Sequence, residues 1–171
     1  MSEPFSLHPR LAAGSVFVCD LALSRLVLMN NSRFPWLLLV PRLADVTEIV
    51  DLAEPDQQTL WREIAQISRL LREMFEPDKL NVASIGNLVP QLHVHLIARF
   101  QHDEAWPKPT FGFAPPLPYP PDELEALTRR ICSGLEAQKV SGTCLSLAAS
   151  RPRMEDKLMS ASFLPPISTI N

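Results

Sequence analysis

The sequence predicts an α+β domain: an antiparallel sheet of about five strands with one long helix, followed by a proline-rich arm and a C-terminal helix. Three observations predict it. Short runs of apolar and β-branched residues alternate with turn chemistry, one long stretch repeats its apolar residues at helical spacing, and the prolines gather in a single downstream segment.

Ser15 to Asp20 and Ser24 to Asn30 are strand-like runs joined by Leu21-Ala22-Leu23, so they pair as a hairpin. Trp36 to Pro41 is apolar throughout, as a strand covered on both faces must be. Glu54-Pro55-Asp56 then opens a helix. Proline is tolerated in the first turn, where its missing N–H has no intrahelical partner, and the acids face the positive end of the helix. Leu60, Ile64, Ile67, Leu71 and Met74 recur at intervals of three and four, one apolar stripe reaching about Phe75. Trp61 reads as packing, and Arg62, Glu63, Arg69, Arg72 and Glu73 as the solvated face. Asp78 to Ile85 and Gln91 to Phe100 complete the sheet, with a tight reversal at Gly86-Asn87-Leu88-Val89-Pro90.

Seventeen prolines stand against five glycines, and they concentrate between Pro107 and Pro121. Such a run sustains neither a helix nor a central strand, and reads as an extended arm lying on a surface. A second helix is expected from Asp122 to about Gln138, with Leu124, Leu127, Ile131 and Leu135 on one face. After Val140 the periodicity fades into Ser/Ala/Pro-rich sequence. The organisation is therefore residues 1–102 as the sheet domain, 103–140 as arm and C-terminal helix, and 141–171 as a disordered tail.

Composition narrows the functional classes. A net charge of −3 argues against a wide basic surface for nucleic acid, though not against one small phosphorylated ligand. The longest apolar run, Trp36 to Val40, is far too short to span a bilayer, and the N-terminus has no basic, apolar leader pattern. Cys19, Cys132 and Cys144 lack metal-ligand spacing and read as reduced thiols. A cytoplasmic chain with no nucleic-acid or membrane partner is expected.

The chemistry concentrates in Gln91-Leu92-His93-Val94-His95-Leu96-Ile97. Side chains alternate along a strand, so Gln91, His93, His95, Ile97 and Arg99 share one face, and apolar Leu92, Val94, Leu96 and Ala98 share the other. Imidazoles two residues apart stand about 7 Å apart along the chain, close enough to address one phosphate. A neutral imidazole is a good nucleophile near neutral pH, so one histidine can attack phosphorus while the other stabilises the charge. Two other readings stay open. One is a metal site, for which His8 and His102 are distant and the strand offers no acid; the other is a structural histidine pair.

At these residues, from Gly86 to Ile97, the chain resembles the signature of the histidine triad (HIT) superfamily. There a Gly-Gln-Ser/Thr loop leads into three histidines alternating with apolar residues. The resemblance extends to Leu28-Met29-Asn30 and Pro35 to Pro41, and covers about residues 5 to 102. It is strongest towards a bacterial branch. It implies a HIT-like fold and a homodimer; since strand and loop amides can supply the remaining donors, no cofactor or metal is expected. It also implies hydrolysis or transfer on a purine nucleotide or dinucleotide: a nucleotide phosphoramidase or dinucleoside polyphosphate hydrolase with a nucleotidyl-histidine intermediate. Carried over, the nucleophile is His93, the phosphate contact His95 and the supporting residue Gln91, while Asn30 falls on the ribose-contacting position and Asn87 on the phosphate loop. Gln91 replaces the first histidine, and Leu88 replaces a loop hydroxyl. Those departures raise an alternative, a nucleotide-binding module with little or no hydrolytic activity. Trp36 is a candidate for lining a base pocket, but inside so apolar a run it reads as core.

Overall fold

Five strands form one antiparallel sheet in the order β1-β2-β3-β5-β4. They are β1 (Ser15–Asp20), β2 (Ser24–Met29), β3 (Trp36–Pro41), β4 (Lys79–Ala83) and β5 (Val94–Arg99). The computed structural model describes residues 5–144, with side chains as far as Gln138. β3 lies between β2 and β5 with all six residues buried, as its unbroken apolar run requires.

Alternation splits the core into two layers. Leu37 and Leu39 of β3 join Val94 and Leu96 of β5 on the face covered by α2 (Glu54–Phe75) and α3 (Pro121–Cys144). Trp36, Leu38 and Val40 point the other way, into a smaller cluster with Phe34, Ile97 and Ala105. The expected stripe on α2 is buried at Leu60, Ile64, Ile67 and Leu71. Each such side chain contributes about 1.5–3 kcal/mol when fully removed from water. The helix stops at Glu76, whose backbone is left-handed (φ 49) and whose N–H returns to the Arg72 carbonyl, just before Pro77.

Glu63 departs from the sequence reading. It is 4% exposed rather than solvated, because its carboxylate accepts the Leu23 N–H at 2.7 Å and the Ser24 N–H, the backbone donors of the β1–β2 turn. Helical periodicity marks the apolar stripe but not a carboxylate turned in to cap a neighbouring hairpin.

α3 runs beyond the expected end near Gln138 and packs Leu127, Ile131 and Leu135 into the helix-side core. Gly134 lets it approach α2 closely, since a Cβ there would fall 2.5 Å from Leu70 Cδ1. The expected tail lies outside the described residues from position 145 onward. The short α1 (Pro9–Gly14), which periodicity is too brief to reveal, starts with His8 accepting the Arg10 N–H.

The proline-rich arm is fastened at both ends. At its start Arg99, 2% exposed, donates to both oxygens of Asp103 at 2.7 and 3.0 Å, to Asn81 and to the Lys108 carbonyl. Its guanidinium also lies against the Phe34 and Trp106 rings. Arg33 pairs with Glu104. Farther on, proline removes most backbone donors, and Leu117 and Tyr119, set between prolines, keep theirs. Asn31 Oδ1 accepts the Leu117 N–H at 3.1 Å and Asn30 Oδ1 accepts the Tyr119 N–H at 2.9 Å. Among the described residues no helix is long and apolar enough to cross a membrane.

Candidate active site

The β5 ladder begins at Val94, three residues later than the expected strand, because Gln91 to His93 are bonded elsewhere. The Leu92 N–H donates to the Val46 carbonyl, and the Gln91 amide holds the N-terminal segment, accepting the His8 N–H at 2.9 Å and donating to the Ser6 carbonyl at 2.8 Å. The alternation of faces nevertheless carries through. Leu92 packs in the helix-side core, and His93 and His95 open together on the opposite face. Their ring centroids are 4.8 Å apart at 73°.

Both histidines border a cleft of about 540 Å³. One wall is the loop from Ile85 to Val89, where Gly86 at φ +66 makes the turn a side chain would strain. Met29 and Trp36 form the floor. Phe111 and Gly112, from the arm, form the other wall. The Phe111 ring meets His95 edge-on at 4.9 Å and Trp36 at 5.4 Å. The lining is mainly apolar, so an ion bound here meets few water molecules and feels the imidazole dipoles strongly.

Nδ1 of His93 lies 2.7 Å from the Gln91 carbonyl oxygen. A carbonyl only accepts, so Nδ1 carries a proton, and in the neutral ring Nε2 keeps its lone pair. The Trp36 indole N–H donates to Nδ1 of His95 at 3.0 Å. Burial, and then repulsion from His93 whenever that ring is protonated, push His95 down from its ordinary 6.5 to about 3, so it is neutral at physiological pH.

Of the residues singled out from sequence, the fold brings His93, His95 and Asn87 to one cleft. It does not bring the side chains of Gln91 or Asn30. Gln91 borders a separate hollow of about 310 Å³ with Ser6, His8 and Asp45, and its backbone carbonyl meets His93. Asn30 is tied to Tyr119, and its neighbour Met29 reaches the cleft instead. Sequence reasoning set Trp36 aside as core and missed Phe111. Trp36 is core by burial, at 8% exposed, and also cleft floor by its N–H. The aromatic pair Phe111 and Phe113, inside a proline-rich stretch that otherwise reads as surface, was the available signal for the arm. Among the described residues no cluster of three or more His, Cys, Asp or Glu side chains could hold a metal ion.

Comparison with known proteins gives consistent answers. A histidine triad protein from Bradyrhizobium japonicum is 44% identical, with a TM-score of 0.76, over 78% of this chain and 99% of its own. A histidine triad protein from Marinobacter aquaeolei is 41% identical, with a TM-score of 0.77, over 79% and 98%. The bis(5'-adenosyl)-triphosphatase of Saccharomyces cerevisiae is 32% identical over 69 residues, 37% of this chain. The match spans about a third of the yeast enzyme's length, 34%. The HIT domain model matches residues 11–102, more than half of the 171, and both cleft histidines fall inside it. This chain belongs to the HIT domain family.

Proposed function

We propose that the protein hydrolyses or transfers nucleotidyl groups at phosphorus, acting on a nucleotide phosphoramidate or a dinucleoside polyphosphate. Nε2 of His93 attacks phosphorus, the bond to the leaving group breaks with its electron pair, and water then cleaves the nucleotidyl-histidine. The observation that carries this reading is the His93 ring itself. Its Nδ1–H is held by the Gln91 carbonyl, which leaves the Nε2 lone pair available at 4.8 Å centroid separation from a second, neutral imidazole. The name of the yeast relative supports a nucleotide substrate. His93→Ala is expected to lower turnover of adenosine phosphoramidate or diadenosine triphosphate at least about 10³-fold, with the fold retained by circular dichroism. Equal, slow turnover by both proteins across such a panel would refute nucleophilic catalysis by His93.

A second reading, nucleotide binding with little turnover, draws support from Leu88. It is 79% exposed at the loop position where the family places a hydroxyl. Mononucleotide affinity without turnover, and a gain of activity in Leu88→Ser, are its expected outcomes. The proposal includes a cytoplasmic location and a homodimer; the open edge of β4 and Trp61, which is 57% exposed on α2, support the homodimer.

A further inference from the structure

We infer that Trp36 is a positioning residue for this reaction: its indole N–H, donated to Nδ1 of His95, fixes His95 as the Nε2–H tautomer and makes it a standing hydrogen-bond donor to a phosphorus oxygen. The inference rests on the proposed phosphorus chemistry for its use, but not for its geometry.

The sheet places the pair. Leu38 of β3 is opposite His95 of β5, so Trp36, two residues along the same strand, sits diagonally from His95 on the same face. A diagonal neighbour lies within reach of a long aromatic side chain, and the indole nitrogen arrives 3.0 Å from Nδ1. An indole N–H can only donate, so Nδ1 must accept. A neutral imidazole with an accepting Nδ1 carries its proton on Nε2. Trp36 is 8% exposed, and Phe111 packs edge-on against both rings, so water has little room to replace the bond.

The two histidines are thereby given opposite assignments. Backbone fixes His93 with an Nε2 lone pair, and Trp36 fixes His95 with an Nε2 proton. With the other tautomer, His95 would turn a second lone pair towards phosphoryl oxygens that already carry negative charge. No proton leaves His95 in the reaction, since a neutral ring that gave up its single N–H would become imidazolate. It stabilises charge by hydrogen bonding, and solvent protonates the leaving group. With leucine at position 88 in place of a hydroxyl, that donor carries more of the developing charge.

The test removes the N–H while keeping the ring stack. Trp36→Phe is one variant. Benzothienylalanine at position 36, introduced by codon suppression, is the second; it keeps the bicyclic shape, so folding is preserved if Trp36→Phe fails to fold. Long-range proton–nitrogen NMR of 15N-histidine-labelled protein, with the His95 signals assigned through His95→Gln, reads the tautomer directly. Native protein is expected to show His95 protonated at Nε2. Both variants are expected to lose that preference and to drop kcat about a hundredfold with KM within about twofold. His95 protonated at Nδ1 in native protein, an unchanged tautomer in the variants, or a changed tautomer with unchanged kcat would each overturn the inference. His93→Ala, measured alongside, tells these failures apart from failure of the phosphorus chemistry itself.

Discussion

The carbonyl oxygen of Gln91 lies 2.7 Å from Nδ1 of His93, while the Gln91 side chain reaches away from the cleft to the backbone of Ser6 and His8. One residue therefore serves two separate tasks, and only the backbone one concerns the cleft. Gln91→Ala is expected to keep kcat within about threefold while losing one part-buried and one exposed hydrogen bond, roughly 1 kcal/mol of stability. Steady-state rates and urea melts of the same preparations separate these effects. Gln91→His, which puts there the histidine that the resemblance implies, is expected to give no gain in rate. A fall of kcat to background in Gln91→Ala would mean that the side chain takes part after all.

Stability should also respond to pH through His95. Its pKa is about 3 in the folded protein against an ordinary 6.5, so the unfolded chain takes up the proton first as pH falls. The neutral-ring contribution is complete above pH 6.5 and erodes towards pH 3, by at most about 1.4 kcal/mol per pH unit. Unfolding free energies at pH 7, 5 and 4 should show this slope in native protein and a flatter one in His95→Gln. Parallel slopes would place the acid sensitivity elsewhere.

Phe111→Ala is expected to open the arm side of the cleft. Water would reach His95, raising its pKa towards the ordinary value, and kcat/KM would fall about tenfold, a loss of about 1.4 kcal/mol. NMR titration of the His95 ring together with kinetics checks both halves. An unmoved titration would show that Phe111 does not shield the ring.

What the sequence made legible followed from periodicity. The α2 stripe, the buried β3 and the shared face of His93 and His95 all depend on spacing along one element. What it hid depends on partners far along the chain. Glu63 looks like any charge on a solvated helix until the β1–β2 turn is seen to need acceptors. Trp36 satisfies the pattern of a core strand whether or not its N–H meets a ring two strand positions away. Asn30 and Gln91 occupy positions to which the resemblance assigns nucleotide chemistry, yet their amides hold Tyr119 and the N-terminal segment. An amide that can donate and accept serves either purpose, and residue type alone does not choose between them.

The arm also bears on the order in which a working molecule is made. Both histidines and the sheet that carries them lie before residue 102, but Phe111 meets Trp36 from far along the chain, and the Asn31–Leu117 and Asn30–Tyr119 bonds that fasten the arm beyond it span 86 and 89 positions. A ribosome that has released only the strands has exposed His93 and His95 to solvent without their shield. Loop closure over such a length is entropically costly, so it follows rather than leads assembly of the sheet. The nascent chain thus acquires its two histidines early and their cover late.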